Sequence, residues 1–288
     1  MKRKLIKQGL SAYTITLPVS WIRENNLSSG SELDISHEEG NLKISTDSKK
    51  AIKSIELNIN DFQNSSRLRS LISSAYRRGF DKIIIRSKSP LSLIDISFTV
   101  ESLTGLVIQS QTPNKIEIVS VLNSTKEDLD IATNQFFNSV KFLISEVTSN
   151  LNQSNSKNKK EELSNIKKGL LTKRDYCLRI IQKNSTPNSS YFEYYSAILI
   201  LEKIASLFFN IFSKKMVKTD YELLTKMENA ISELITSFKK QDLNSLIQLN
   251  EKLSKIKKQS FDQRLIPELY VILNYVFDLS SRLLSIYC

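Results

Sequence analysis

The chain has 288 residues, of which 40% are hydrophobic and 25% are charged, a composition typical of a globular protein of two or three domains. Its 41 lysine and arginine residues against 30 acidic ones give a formal net charge of +11, which favours a polyanionic partner, nucleic acid before an acidic membrane surface. Two cysteines, Cys177 and Cys288, exclude a disulfide scaffold or a cysteine zinc site and are typical of a reducing, cytoplasmic location.

The first 46 residues have the pattern of a small β-rich unit. The segment "YTITLP" (13–18) alternates as a strand does, and Pro18 then favours a first helical turn that carries Trp21 and Ile22. The alternating segments "ELDISH" and "NLKIST" predict a hairpin around Glu39 and Gly40. A unit of this size without disulfides or metal buries too little apolar surface to be stable alone, so we expect it to dimerise.

Residues 53–121 predict a small α/β domain in the order β-α-β-α-β-β. The strand patterns are "SIELNI", "DKIIIRS", "LVIQSQ" and "KIEIVSV", and two helical patterns lie between the first three. This region shows no glycine-rich phosphate loop, no Ser-His-Asp set and no metal cluster. A structural or dimerising role is therefore the simplest interpretation.

From residue 124 to the end, apolar residues recur at helical spacing, which predicts a bundle of six helices. The breaks fall near 152–160, 184–190, 213–220, the segment "KKQDLN" and the segment "KQSFDQRLIP". The apolar segment 194–212 has Glu202 and Lys203 at its centre, so a buried bundle helix is favoured over a membrane span. The expected fold class is thus multidomain α+β.

The stretch "RKLIKQGLSAYTITLPVSWIRENNLSSGSELDISHEEGNLKIST" resembles the AbrB/SpoVT swapped-hairpin DNA-binding domains, in which two copies interlock into one barrel. With the α/β region and the helical bundle that follow, the chain resembles the AbrB-PhoU fusions that occur mostly in archaea as phosphate uptake regulators. The resemblance implies three domains, at 1–46, 53–121 and 124–288. It also implies a cytoplasmic homodimer or higher homo-oligomer that binds double-stranded DNA and regulates transcription.

In AbrB-like domains, basic residues around the first strand, its loop and the short helix face the DNA. The resemblance, together with the charge and hydrogen-bonding capacity of these side chains, predicts a nucleic-acid-binding set in this chain. Its members are Lys2, Arg3, Lys4, Lys7, Ser11, Tyr13 and Arg23. The alternative is that these cations are merely solvated and that Tyr13 only packs. Residues 1–50 have eight basic and six acidic residues, so DNA binding would depend on local segregation of charge.

The PhoU-like bundles that this chain resembles have acidic E-x-x-x-D motifs on their third and sixth helices, and these motifs can hold metal clusters. This chain keeps half of each motif, because Glu202 is followed four residues later by Ser206, and Asn274 precedes Asp278. Two separated carboxylates are a poor ligand set for several cations, so no metal or other cofactor is expected. We interpret Lys173, Arg174 and Asp175, on the second helix, as ordinary surface charge.

Catalytic patterns are weak, so we expect no enzyme. His37, the only histidine, lies in a predicted strand beside two glutamates, and Cys177 falls on an apolar helix seam as a core thiol would. Three hypotheses remain. The first is a transcriptional regulator of phosphate uptake. The second is a signalling adaptor that dimerises through its N-terminal unit, docks on a phosphate transporter component or a signalling protein, and does not bind DNA. The third is a metal-storing or metal-sensing bundle.

Overall fold

The computed structural model describes nine stretches of the chain, which are 2–38, 40–46, 52–59, 65–91, 93–122, 127–151, 156–184, 191–260 and 265–286. Glu39 of the predicted turn, Cys288, and parts of the predicted breaks near 152–160, 184–190 and 258–267 lie outside the described residues. The chain consists of two compact units, a first unit, residues 1–52, and a second unit, residues 53–288.

The first unit consists of two antiparallel hairpins joined by a short helix. In chain order its elements are β1 (Ile6–Gln8), β2 (Ala12–Thr14), α1 (Val19–Glu24), β3 (Leu33–Glu38) and β4 (Asn41–Thr46). β1 pairs with β2 and β3 pairs with β4, which confirms the predicted second hairpin. The predicted strand over 13–18 is shorter than expected, because β2 ends at Thr14 and Pro18 is the extended residue just before α1.

The second unit begins with a four-stranded sheet and two helices. The elements are β5 (Ser54–Asn58), α2 (Ser65–Arg77), β6 (Lys82–Arg86), α3 (Leu93–Glu101), β7 (Leu106–Thr112) and β8 (Lys115–Ser120). The predicted β-α-β-α-β-β order is confirmed. The strands lie in the order β5-β6-β8-β7, where β5 and β6 are parallel and the remaining pairs are antiparallel. Isoleucines of β6 and β8 and apolar residues of α2 and α3 form one hydrophobic core.

The remainder of the second unit is helical. The helices are α4 (Glu127–Ser149), α5 (Lys157–Asn184), α6 (Tyr191–Ile211), α7 (Lys218–Lys239), α8 (Leu243–Ser260) and α9 (Pro267–Ser285). The predicted apolar stripes are buried, such as Leu224, Met227, Ile231, Leu234 and Phe238 on α7, because each stripe faces neighbouring helices. α6 packs against α4, α5 and α9, so the apolar segment at its centre lines the second hydrophobic core.

Helix α5 joins this core to the sheet region, because it packs against α2. The Arg179 guanidinium, 1% exposed, donates hydrogen bonds to the backbone carbonyls of Tyr76 and Phe80, at 3.0 and 2.7 Å, and to the carboxylate of Asp81 at 2.7 Å. Lys183 Nζ lies 2.5 Å from the same carboxylate oxygen of Asp81. These bonds extend from one helix to the end of α2 and the start of β6, so they hold the sheet region and α5 in one arrangement.

Candidate nucleic-acid interface

The first hairpin places two of the predicted site residues side by side. In the β1–β2 register Lys7 is directly opposite Tyr13, and directly opposed residues of an antiparallel pair point to the same face. Both side chains are exposed, and Tyr13 retains 59% of its accessible surface. An ammonium and a phenol hydroxyl on one face can together bind a phosphate oxygen or a base edge.

The other predicted contacts of the hairpin lie at its two ends. Lys2, Arg3 and Lys4 precede β1 and are exposed, and Ser11 lies in the turn between β1 and β2, also exposed. The turn is tight because Gly9 adopts a positive φ of 77°, a conformation that glycine adopts without strain. The hairpin therefore presents cations before its first strand and a hydroxyl at its tip.

Helix α1 presents the last member of the predicted set. Arg23 is exposed, whereas Trp21 and Ile22 are half-buried, as the helical step of about 100° per residue predicts. The exposure of all seven predicted residues is thus compatible with a binding role. The structure brings only Lys7 and Tyr13 together through strand pairing.

The first unit has a second surface property, which is an unusual amount of exposed apolar surface. None of the side chains described between residues 2 and 46 is buried. The large apolar residues that remain exposed are Leu5, Ile6, Leu10, Tyr13, Ile15, Val19, Ile35 and Leu42. Leu10 is 100% exposed at the tip of the first hairpin. Such a surface is typical of a protein segment that packs against a partner.

The two single residues considered for chemistry have ordinary surroundings. His37 lies in β3 with an exposed side chain. Cys177 is completely buried in α5, and this burial raises the pKa of its thiol to about 12. Cys177 packs within the hydrophobic core of the helical region, so its interpretation as a core residue is confirmed.

Two charged residues near Glu202, Arg174 and Asp175, are more buried than the sequence-based interpretation expected. Asp175, expected on the surface, is only 6% exposed, because Arg174 lies 2.7 Å and Arg77 3.2 Å from its carboxylate oxygen. Arg174 also contacts the Glu202 carboxylate at 3.3 Å. The interpretation of Arg174 and Asp175 as ordinary surface charge was therefore wrong. The partners come from three different helices, so the spacing along the chain contained no signal for this network.

Two further polar residues of this region, Lys173 and Ser206, also form hydrogen bonds with side chains of the chain. Lys173 is half-buried and donates a hydrogen bond to the Ser139 hydroxyl at 2.6 Å, so it too is not an ordinary surface charge. The hydroxyl of Ser206 donates to the Glu202 carboxylate at 2.7 Å, one turn away on the same helix. Within the described residues, no cluster of three or more histidine, cysteine, aspartate or glutamate side chains has the geometry of a metal site.

One helix of the described residues, at Phe192–Ile211, is long and apolar enough to cross a membrane by length and composition. Its buried residues line the core of the helical region, for example Ile198, Leu201 and Phe208. One face of this helix thus packs against neighbouring helices, and its interpretation as a bundle helix stays a prediction.

Comparison of the chain with protein-family models, with curated proteins and with solved structures gave no match.

Proposed function

We propose that this protein is a DNA-binding transcriptional regulator, linked to phosphate uptake, that acts as a homodimer through its first unit. The observation that carries the proposal is that the described side chains of the first unit bury no core of their own, while its basic residues are exposed. In this proposal β1 to β4 of two copies interlock into one barrel, as in AbrB-like domains, and the helical region is a PhoU-like bundle.

The dimer follows from the cost of exposed apolar surface. Each Å² of apolar surface removed from water stabilises a protein by roughly 25 cal/mol. In a single copy, more than half of the surface of several apolar residues stays exposed to water, namely Leu5, Ile6, Leu10 and Ile35. A second copy that interlocks with the first can cover these residues, and it lets two short hairpins share one core. Dimerisation therefore stabilises the first unit, because it removes these apolar side chains from water.

The DNA interface follows from symmetry and charge. Two copies related by a two-fold axis present the Lys7–Tyr13 face and Arg23 twice, which suits a pseudo-palindromic duplex. Exposed cations can neutralise phosphates and release counterions. The link to phosphate uptake rests on the resemblance of the whole chain to the AbrB-PhoU fusions.

The test of DNA binding is its dependence on salt. Purified full-length protein is titrated against duplex DNA at several salt concentrations, and the slope of log affinity against log salt is measured. A regulator loses affinity steeply, with a slope of about −0.9 for each phosphate that it neutralises. Sequences for the titration come from recovery of the DNA that the protein binds in cells.

The double variant Lys7→Ala with Arg23→Ala identifies the interface. We expect weaker binding to all sequences and a shallower salt slope, by about 0.9 for each phosphate that the variant no longer neutralises, with dimer and bundle intact. The matched control is Lys226→Ala with Lys240→Ala, which removes the same charge from exposed positions of the second unit. Equal slopes for the wild type and the Lys7/Arg23 variant would show that these cations do not contact DNA.

A signalling adaptor that dimerises through its first unit is the second candidate. One observation favours it, which is that residues 1–50 have a net charge of only +2, so +9 of the formal charge lies after residue 50. An adaptor would use this basic second unit to dock on a transport or signalling protein. It would show no measurable duplex binding at physiological salt, whereas its first unit would still hold the dimer.

A further inference from the structure

Strand β7 is an open edge of the four-stranded sheet. It pairs with β8 on one side, and within the described residues no strand lies on its other side. In an antiparallel edge strand, about half of the backbone N–H and C=O groups point away from the paired neighbour. These groups form a row of donors and acceptors that another strand can pair with.

The sequence of β7 lacks the residues that usually prevent such pairing. Its seven residues, "LVIQSQT", include no charged residue and no proline. The opposite edge, β5, differs because it contains Glu56, whose carboxylate is 2.8 Å from Arg86 Nε on β6. Charged side chains on an edge strand oppose pairing with another strand. Of the two edges, β7 is therefore the one whose strand contains no charged residue.

Apolar residues lie beside this edge on the side of the sheet away from α2 and α3. Val107 of β7 is directly opposite Val119 of β8 and is 40% exposed. Val121 follows β8, is 64% exposed, and is held close to the start of β7 because its N–H donates to the Gly105 carbonyl at 2.8 Å. Beside the start of β7, three valines form a small apolar patch that is exposed to water in a single copy. They are Val107, Val119 and Val121.

We propose that a second copy of this chain pairs with β7 along this edge, antiparallel, so that the two four-stranded sheets continue into one sheet of eight strands. A second copy is the occupant that the chemistry favours, because an antiparallel pair of identical strands is self-complementary about a two-fold axis. The strand contains no charge, so its own copy meets it without like-charge repulsion. The same axis brings each Val107 close to the pairing strand of the partner, where the valine patch is shielded from water.

A β-bulge restricts where the strands pair. The register between β7 and β8 shifts between Ile108 and Ser110, so Gln109 is the extra residue. A bulge bends the strand and increases its twist, which limits regular pairing to one side of it. Leu106 to Ile108, next to the valine patch, is the side where backbone pairing and apolar burial occur together.

Disulfide crosslinking in the full-length protein tests this interface. A single cysteine is introduced as Val107→Cys in a Cys288→Ser background, in which Cys177 remains buried. Mild oxidation should give a covalent dimer, because residue 107 lies in the paired stretch near the two-fold axis and faces its own copy. The matched control, Ser54→Cys, places an exposed cysteine on the opposite edge β5 and should stay uncrosslinked. Both cysteine variants are made in the full-length protein, so any dimer formed through the first unit is present in both. Faster crosslinking at β7 than at β5 therefore reports pairing of the β7 edge whether or not the proposed function is correct.

Amide hydrogen exchange at several protein concentrations is the second measurement. Amides of Leu106–Ile108 should become more protected as concentration rises, and Val107→Lys should abolish this gain, because two like charges would face each other at the edge. Crosslinking of Val107→Cys no faster than that of Ser54→Cys, together with exchange that does not change with concentration, would overturn the proposal. Protection of β7 that appears only when a different protein is added would show that another chain, not a second copy, pairs with this edge.

Discussion

Arg179 and Asp81 form an ion pair between α5 and the start of β6, with Arg179 Nη2 2.7 Å from Asp81 Oδ1. The two residues are 98 positions apart in the chain. The same guanidinium donates to the carbonyl of Tyr76 in the last turn of α2 and to that of Phe80 in the loop that follows, so one buried side chain serves three acceptors. The guanidinium carbon also lies 4.9 Å from the centre of the Tyr76 ring, which adds a cation–π interaction.

Replacement of Arg179 should destabilise the second unit strongly. Arg179→Met fills similar space but leaves the carbonyls of Tyr76 and Phe80 without this donor and removes one partner of a buried ion pair, which should cost about 3 kcal/mol. The free energy of unfolding, measured by chemical denaturation, is the readout. Arg282→Met is the control, because Arg282 pairs with Asp278 at an exposed site and should change stability by less than about 0.5 kcal/mol. Equal effects of the two substitutions would contradict a structural role of the buried pair.

Three glycine-to-alanine substitutions should affect stability in a fixed order. Gly105 has a φ of 77°, and a Cβ there would overlap the side chain of Leu122, so Gly105→Ala should cost about 2–4 kcal/mol. Gly79 has a φ of 78°, and a Cβ there would lie 2.8 Å from Cγ of Lys183, a less severe overlap, so Gly79→Ala should cost about 1–2 kcal/mol.

The third glycine, Gly169, lies inside α5 and has open space around the Cβ position. Gly169→Ala should stabilise the protein by about 0.5–1 kcal/mol, because alanine loses less backbone entropy in a helix. Thermal unfolding of the three variants under identical conditions gives the comparison. A Gly105→Ala variant as stable as Gly79→Ala would show that Leu122 moves aside without cost.

Cys177 should not react with a thiol reagent in the folded protein. Burial raises the pKa of its thiol to about 12, so at mildly alkaline pH the thiolate is scarce and the reagent has no access. In a Cys288→Ser background we expect negligible modification by an aromatic disulfide reagent before denaturation and complete modification after it. Fast modification of the folded protein would mean that α5 opens from the helical core.

The ion pairs of Glu117 should make stability depend on pH in the acid range. Hydrogen bonds from Lys115 and Lys82 lower the pKa of the Glu117 carboxyl to about 2 from an ordinary value of 4.5. The ammonium of Lys82 lies 2.7 Å from the carboxylate. Because the folded pKa is lowered, the stabilisation is complete above about pH 4.5 and is lost as the pH falls towards 2.

Comparison of the wild type with Glu117→Gln measures this effect. Urea unfolding should show the wild type as the more stable protein at neutral pH, and the difference should decrease as the pH falls below 4.5. Glu56→Gln, which removes a carboxylate from a more exposed pair with Arg86, should give a smaller difference at neutral pH. A difference between wild type and Glu117→Gln that does not vary with pH would contradict the assignment.

Local patterns determined much of this fold. The helical stripes of α4, α7 and α9 and the β-α-β-α-β-β order could be predicted, because hydrophobic period and turn residues act over a few neighbouring positions. The exposure of Arg23 beside half-buried Trp21 and Ile22 followed from the same period. The assignment of Lys2, Arg3, Lys4, Lys7, Ser11, Tyr13 and Arg23 to a DNA interface remains a prediction.

Tertiary structure alone decided which charges are buried and which strand stays open. Asp175 has the sequence surroundings of a surface residue, but α2 packs on α5 and brings Arg77, 98 positions away, to its carboxylate. The strand order β5-β6-β8-β7, which leaves uncharged β7 at an edge, likewise depends on contacts between residues that are distant in the chain. Such contacts are set by how whole surfaces fit together, whereas the period of a segment indicates only which of its faces is apolar.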